Sequence, residues 1–250
     1  FCDCHGIESI LIPQGVTSIG NYAFNGCYGL SSVIIPDGVT EIGSYAFNGC
    51  HGLTSVDIHE GVTTIGEYAF ASCTSLKTIR IPSSVSIIQK NAFIDCINID
   101  SLYWNTNITP FNITQYCKNN LKFAYIGNKV NEIAGASFMN CAKLTYVNVS
   151  KNVNTIANDA FQGCTNIDTL YWNSNYSPYD VTKYCSSNLK VVYLGESITS
   201  LGKDAFRNCK NLQSIIIPEG VIDIGDNAFD GCNDMANISF PRTLIHIGFN

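Results

Sequence analysis

The chain has 250 residues, of which 46% are hydrophobic and 14% charged, and its net charge of −6 comes from 14 Lys and Arg against 20 Asp and Glu. This balance argues against a basic nucleic-acid interface or a polybasic membrane patch. No apolar run approaches the roughly 18 residues that a membrane helix needs, and the hydrophobic fraction excludes a disordered chain. We therefore expect a folded body that binds no nucleic acid and inserts into no membrane.

Nine of the twelve cysteines share one register. Neighbouring members of the set are 23 residues apart, except at two places where they are 45 residues apart. The set is Cys4, Cys27, Cys50, Cys73, Cys96, Cys141, Cys164, Cys209 and Cys232. A fixed period of roughly 20–50 residues is typical of stacked repeats, in which no unit can bury its hydrophobic residues alone.

Ten complete units fill the chain, with a partial unit at each end. They run 5–27, 28–50, 51–73, 74–96, 97–118, 119–141, 142–164, 165–186, 187–209 and 210–232. Units 97–118 and 165–186 are one residue shorter and share the segments NIDSLYWN and NIDTLYWN. Because residue 1 matches the interior of a repeat, we interpret 1–250 as a single solenoid domain, a fragment cut mid-repeat at both ends.

Each regular unit predicts the same elements in order, as unit 28–50 illustrates. Inward Leu30, Val33 and Ile35 alternate with Ser32 and Ile34, which predicts a β-strand, and Pro36 ends that strand because it has no N–H to donate. A second short strand is predicted over 39–42.

The second half of the unit predicts turns. Gly38 and Gly43 are expected to supply backbone freedom. The segment Tyr45–Cys50 then predicts one helical or 3₁₀ turn, too short to be stable alone.

Stacking predicts a core made of columns of identical residues. The inward positions of the template are Leu30, Val33, Ile35, Val39, Ile42, Ala46, Phe47 and Cys50. One predicted aromatic column comprises Phe24, Phe47, Phe70, Phe93, Phe138, Phe161, Phe206 and Phe229. Trp104 and Trp172 also take inward positions.

The repeat pattern is L-x-x-[IV]-x-I-P-x-G-V-x-x-I-G-x-x-A-F-x-x-C, and its second half is intact at 19–27, 42–50, 65–73 and 224–232. This pattern resembles the BspA-like class of leucine-rich repeats over essentially the whole chain. The resemblance implies a leucine-rich-repeat solenoid of the right-handed α/β superhelix class, mainly β. It would have about ten units of 22–23 residues, with the first strand on the concave face. It also implies a secreted or surface-displayed adhesion protein of bacteria or parasitic protists.

The two short units depart from the pattern after their first strand, which puts their helical turn in question. Asn112 and Asp180 are the residues that could cap a turn leading to Cys117 and Cys185.

The cysteines allow two interpretations. Their even number and the extracellular setting that the resemblance implies favour disulfides. However, parallel side chains in one column cannot easily reach the S–S torsion near 90°. We therefore expect the column cysteines to be buried, reduced thiols.

Catalytic and cofactor signals are absent from the sequence. The four histidines are scattered, and His5 and His51 take a variable position that we expect to face solvent. There is no catalytic or nucleotide-binding motif, so we expect no enzyme, no metal and no cofactor. Five N-x-[ST] sequons occur, at Asn107, Asn112, Asn148, Asn175 and Asn237, and matter only if the source glycosylates secreted proteins.

Outward strand positions are the candidate binding residues. The early units place Ser, Thr, Leu11, Ile34, Asp57 and Arg80 there, whereas aromatic residues concentrate in the middle and C-terminal units. We name these six residues the aromatic stripe: Tyr103, Phe123, Tyr125, Tyr146, Tyr171 and Tyr193. Aromatic residues are enriched at interfaces, although they also simply suit strands.

The resulting prediction is a non-catalytic, extracellular binding or adhesion module whose partner is a host matrix or cell-surface protein. Two alternatives stay open. The chain could be a structural spacer in a larger surface protein, or a repeat region attached to a secreted enzyme whose catalytic domain lies outside it.

Overall fold

The computed structural model describes residues 1–249, apart from the side chains of Phe111 and Asn112. It contains two compact units, one from Phe1 to Leu121 and one that begins at Lys122. Each unit is a mainly-β parallel solenoid in which successive repeats stack strand on strand. This architecture confirms the predicted fold class.

Two sheets and one helix form the first unit. Its elements are β1 (Ser9–Ile10), β2 (Ser18–Ile19), β3 (Ser32–Ile34), β4 (Glu41–Ile42), β5 (Ser55–Asp57), β6 (Thr64–Ile65), β7 (Thr78–Ile81), β8 (Ile87–Ile88), β9 (Ser101–Trp104) and α1 (Phe111–Cys117). The first-strand sheet contains β1, β3, β5, β7 and β9, and the second-strand sheet contains β2, β4, β6 and β8. All pairs are parallel and offset by one repeat, as in Ser9 opposite Ser32.

The second unit repeats this plan. Its elements are β10 (Phe123–Ile126), β11 (Glu132–Ile133), β12 (Tyr146–Val149), β13 (Thr155–Ile156), β14 (Thr169–Trp172), α2 (Tyr179–Cys185), β15 (Val191–Leu194), β16 (Ser200–Leu201), β17 (Ser214–Ile216), β18 (Asp223–Ile224), β19 (Asn237–Ser239) and β20 (His246–Ile247). Six strands, β10, β12, β14, β15, β17 and β19, form its first-strand sheet. The second layer is split into β11–β13 and β16–β18–β20, because the repeat between them carries α2.

The core is built from columns, as predicted. All eight inward residues of unit 28–50 are at most 2% exposed. Phe24, Phe47, Phe70 and Phe93 stack face to face with centroids 5.2–5.3 Å apart. Phe138 lies 5.0 Å from Phe161. Since these distances are close to the strand spacing of about 4.8 Å, each ring sits on its copy in the next repeat.

The predicted helical or 3₁₀ turn at Tyr45–Cys50 is wrong. Every second N–H here donates to the carbonyl three residues earlier, while the intervening N–H groups donate to the next repeat, as from Phe47 to the Ala69 carbonyl at 2.7 Å. A helix cannot alternate in this way, because all its N–H groups point along its axis. The segment is a run of turns, with Tyr45 and Gly49 in the left-handed region at φ 58° and 72°.

The prediction for Gly43 is also wrong. Its φ lies outside the left-handed region, so backbone freedom is not its role. A Cβ on Gly43 would lie 2.7 Å from the backbone nitrogen of Asn21 and 2.8 Å from the carbonyl carbon of Gly20. Glycine is therefore needed because the backbones of successive repeats approach closely at this corner.

Real α-helices replace the second strand in the two short units. They begin after Pro110 and Pro178, and neither has a side-chain N-cap hydrogen bond. Asp180 does not cap α2: it lies in the first turn and accepts from Lys183 Nζ at 2.6 Å, because Pro178 already occupies the N-cap. The predicted cap at Asn112 lies outside the described side chains.

Buried tryptophans tie the loop of each helical unit to its own strand, and buried hydroxyls secure the unit to the repeat before it. Trp104 and Trp172 are at most 2% exposed, as predicted, and Trp104 Nε1–H donates to the Ile108 carbonyl at 2.8 Å. The Thr106 hydroxyl donates to the Val85 carbonyl of the preceding repeat at 2.6 Å. These bonds satisfy polar groups at the level where the regular second strand is missing.

Candidate binding face

The outward positions of the first-strand sheets alternate with the core, as predicted. In β12, Val147 and Val149 are buried while Tyr146 and Asn148 are half-buried on the opposite side. β10 and β14 alternate in the same way. The outward face of each sheet therefore presents two columns of side chains.

Parallel pairing aligns the aromatic stripe residues of the second unit. Tyr125 lies opposite Asn148, which lies opposite Tyr171, and Tyr171 lies opposite Tyr193. In the neighbouring column, Phe123 lies opposite Tyr146. Five of the six predicted site residues therefore share one sheet face.

Ring contacts join these residues into two groups. The ring centroids of Tyr125 and Tyr146 are 5.2 Å apart, and those of Phe123 and Tyr146 are 6.4 Å apart. Tyr171 and Tyr193 form the second group at 6.4 Å. The rings of all three pairs are tilted by 30–51°, unlike the nearly parallel phenylalanines of the core.

Exposure differs along the stripe. Tyr193 is 56% exposed and Phe123 36% exposed, whereas the other three tyrosines are half-buried beside their neighbours. Val191 and Ile216, on the same face, are 39% and 76% exposed. The sequence interpretation did not assign them a role, although their outward column positions could have identified them.

Tyr103 belongs to the first unit and has a different neighbour. It lies on β9 opposite Arg80 of β7, and the Arg80 guanidinium carbon lies 3.6 Å from the Tyr103 ring centroid. The sequence interpretation missed Arg80 because it searched the outward columns for aromatic residues. The available signal was the place of Arg80 in the outward column, directly before Tyr103, which is the first aromatic residue of that column.

The outward faces of the two units differ in charge. In the second unit the outward strand positions carry no charged residue: they are Phe123, Tyr125, Tyr146, Asn148, Thr169, Tyr171, Val191, Tyr193, Ser214, Ile216, Asn237 and Ser239. In the first unit, Asp57 and Arg80 are the charged residues among the corresponding positions of the described strands. An uncharged aromatic face suits the centre of a protein interface, where charge is depleted.

Two further stacked columns, not foreseen from the sequence, lie in the turns of the first unit. Tyr22, Tyr45 and Tyr68 stack with centroids 4.8 and 4.9 Å apart. His5 and His51 sandwich Tyr28 at 4.4 and 5.2 Å, and both histidines are exposed as expected.

The column thiols lie in the core, as predicted, apart from half-buried Cys4 and Cys232. The Cys50 thiol donates to the Phe24 carbonyl of the preceding repeat, with Sγ 3.2 Å from the oxygen. Cys73 does the same to Phe47. No cysteine among the described residues is in a disulfide, and whether the thiols stay reduced in solution remains a prediction.

Burial raises the pKa of several cysteine thiols above the usual value, including that of Cys185 in α2. The pKa of Cys50 rises to about 12, mainly through desolvation, and that of Cys185 also rises to about 12. The pKa of half-buried Cys232 rises to about 11 for the same reason. Because the thiolate is the reactive form, these thiols are poor nucleophiles at neutral pH.

The sequons fall in different settings. Asn148 and Asn237 are outward residues of β12 and β19, whereas Asn107 and Asn175 lie in loops. Asn175 Oδ1 accepts the Thr199 N–H at 2.7 Å. The side chain of Asn112 lies outside the described residues.

Within the described residues, no three His, Cys, Asp or Glu side chains converge as a metal ion would require. The described helices have seven residues each, and neither is long and apolar enough to cross a membrane.

Solved structures of similar folds were found, whereas no curated protein matches the chain. A leucine-rich repeat protein from Bacteroides ovatus is 25% identical, with 99% of this chain and 76% of that chain covered and a TM-score of 0.41. A leucine rich cell surface protein from Faecalibacterium prausnitzii is 25% identical, covering 100% and 75%, with a TM-score of 0.40.

A Drosophila Toll–Spatzle complex structure is 15% identical over 95% of this chain and 33% of that chain, with a TM-score of 0.58, which shows the fold alone. The family model described as the BspA type leucine rich repeat region matches in six copies, over residues 1–122, 110–210 and 179–250. The repeat pattern, the stacked parallel strands and this match over the whole chain agree, so the chain belongs to the BspA-type leucine-rich repeat family.

Proposed function

We propose that this chain is a non-catalytic, extracellular adhesion module, secreted or displayed at a cell surface. It binds a host matrix or cell-surface protein through the outward face of its first-strand sheets. Membership of the BspA-type family supports a repeat module that binds proteins, and the surface display that the family resemblance implies supports the location. The aromatic stripe supplies the contact residues.

One observation carries the proposal: aromatic residues cluster on an outward face of the second unit that carries no charge. Tyr146 contacts both Phe123 and Tyr125, and Tyr171 contacts Tyr193. Exposed apolar patches on soluble proteins tend to mark interaction sites. Tyr also offers apolar area together with a hydroxyl that can hydrogen-bond to a partner.

The test is binding of the whole chain to an array of immobilised extracellular-matrix proteins and to intact host cells. Interface energy is usually concentrated in a few residues that cost about 2 kcal/mol or more when truncated. The double variant Tyr125→Ala, Tyr171→Ala should therefore weaken binding at least about tenfold. The same positions changed to Ser, as in the early repeats, should behave likewise.

Tyr179→Ala is the matched control, because Tyr179 is an exposed tyrosine of the same unit that lies on α2, away from the sheet. It should leave binding unchanged, and circular dichroism should show the same fold for all variants. Wild-type binding by both double variants would contradict the proposed contact residues. No binding by the wild-type chain at micromolar concentration would favour a structural spacer.

A further inference from the structure

Arg80 and Tyr103 form the closest contact between a cation and an aromatic ring in the described chain. The guanidinium carbon lies 3.6 Å from the ring centroid, compared with 5.1 and 5.7 Å for the contacts that Lys183 makes. The two residues lie directly opposite each other on adjacent strands of the first-strand sheet. Their side chains therefore leave the same outward face as a preassembled pair.

The guanidinium has no acceptor in the described part of the chain. Arg207, by contrast, donates to Asp230 at 3.2 Å and to Asp204 at 3.4 Å. Asp57 occupies the position before Arg80 in the same column, yet it forms no ion pair with Arg80 within 4 Å among the described residues. Arg80 is exposed and keeps its N–H groups for a ligand.

This arrangement favours one ligand chemistry. An arginine that stacks on an aromatic ring keeps its planar edge of N–H donors free, and that edge matches the two oxygens of a carboxylate. Since Tyr103 already holds the plane, less side-chain freedom is lost on binding. Arg and Tyr are also residue types that dominate interface energetics.

We propose that Arg80, held on the Tyr103 ring, is an anchor for an acidic side chain of the protein partner. The inference rests on the proposed function, because Tyr103 belongs to the aromatic stripe, and it adds the chemistry of the partner at this point. The partner presents an Asp or Glu carboxylate to Arg80. A phosphorylated side chain offers the same oxyanion chemistry and is separated from it by the experiment.

The experiment uses the three arginines of the chain, Arg80, Arg207 and Arg242, as reporters. Selective ¹⁵N labelling of arginine gives three Nε–Hε signals, and single arginine-to-lysine variants assign them. The probes are the blocked tripeptides acetyl-Gly-Glu-Gly-amide, its glutamine analogue and its phosphoserine analogue. We expect the Glu peptide to shift the Arg80 signal saturably and the Gln peptide to leave it unchanged.

Arg242 is the control for nonspecific attraction, because it is exposed but lacks a stacked ring among the described contacts. The proposal is overturned if the Arg80 signal responds no more than that of Arg242, or if the Gln peptide acts like the Glu peptide. Tighter binding of the phosphoserine peptide would identify a phosphate rather than a carboxylate as the preferred oxyanion, and would overturn the acidic side chain.

Variants that retain Arg80 test the mechanism. Tyr103→Leu should weaken the Glu peptide about twofold to fivefold, the range of an exposed cation–π contact, while Tyr103→Phe should retain binding. Asp57→Asn should strengthen binding of the Glu peptide by about the same factor, because the substitution removes a nearby negative charge that repels the carboxylate of the peptide. Equal binding by Tyr103→Leu and Tyr103→Phe would contradict the role of the ring.

Failure here is distinguishable from failure of the proposed function. If the Tyr125 and Tyr171 variants lose adhesion while Arg80 ignores the Glu peptide, the adhesion surface stands and the carboxylate anchor does not. If Arg80 binds the Glu peptide but no protein of the array binds the chain, the carboxylate anchor stands and the adhesion surface does not.

Discussion

At the residue scale, the buried cysteines Cys50 and Cys185 are weak acids that the fold keeps protonated. The pKa of Cys50 and that of Cys185 lie near 12 because burial disfavours the thiolate, whereas the unfolded thiol titrates near 9.0. Between these values the unfolded chain binds fewer protons than the native chain. The stability that these two thiols contribute is therefore fully present below about pH 9 and is lost as the pH rises toward 12.

We predict that Cys50→Ala combined with Cys185→Ala makes the alkaline loss of stability less steep. Each thiol contributes up to about 1.4 kcal/mol per pH unit within the window. The measurement is urea unfolding at several pH values from 8 to 11, with pH-independent cavity effects removed by comparing slopes. Parallel slopes for wild type and variant would show that these thiols do not titrate differently on folding.

Residue types predicted which side chains are buried, but they did not predict the backbone conformation equally well. The hydrophobic period identified the inward columns, because a position is either on the core side or not. It gave no sign that Tyr22, Tyr45 and Tyr68 adopt φ of 55–59°, a region that bulky residues rarely occupy. Asn91 and Asn227 hold the equivalent position elsewhere and suit it better. The stacking of the three tyrosine rings accompanies this strained backbone and depends on three repeats at once.

At the element scale, the glycines of the turns have two separate roles. Gly49 is in the left-handed region, and a Cβ there would meet its nearest atom, in the Tyr28 ring, at 3.6 Å. Gly66 is outside that region, but a Cβ on it would lie 2.5 Å from the backbone nitrogen of Ser44. Gly49 avoids the strain of a left-handed backbone with a Cβ, and Gly66 allows the backbones of two successive repeats to approach closely.

We predict that Gly66→Ala destabilises the chain more than Gly49→Ala. The Gly49 variant should cost about 1–2 kcal/mol, the penalty of a left-handed residue with a Cβ. The Gly66 variant should cost about 3 kcal/mol or more, because backbone atoms of the preceding repeat cannot move aside easily. Chemical denaturation of both variants measures the difference, and equal losses would mean that the corner accommodates a methyl group.

The strands were predictable and the helices were not. Alternation over positions such as Leu30 to Ile35 identifies a strand whatever its neighbours are. In the short units the signal was a proline followed by buried residues four apart, Ile113 and Cys117 or Val181 and Cys185. Because the short units were aligned with the regular repeats, this pattern was interpreted as a disrupted turn, and the helices were not predicted.

At the scale of the whole molecule, the repeat period predicted the candidate face only in part. Alternation placed Tyr125, Tyr171 and their neighbours outward, since register follows from the period. Ring tilts, partial burial and the pairing of Arg80 with Tyr103 depend on side-chain packing, which no period contains.

Stability should also be distributed by repeat, because the rings of the core stack on a copy in a neighbouring repeat. Phe161 is fully buried and lies 5.0 Å from Phe138. Phe229, which stacks on Phe206 at 5.6 Å, is only half-buried. The two residues have the same place in the repeat but different amounts of surface removed from water.

We predict that Phe161→Ala destabilises the chain by about 3–5 kcal/mol, the usual cost of removing a buried phenylalanine, and that Phe229→Ala costs less. In a nearest-neighbour array the damage should be greatest beside the substitution. Amide hydrogen exchange should therefore lose protection in repeat 142–164 and in its neighbours 119–141 and 165–186. Unchanged protection in all three repeats would contradict the phenylalanine column as the element that couples one repeat to the next.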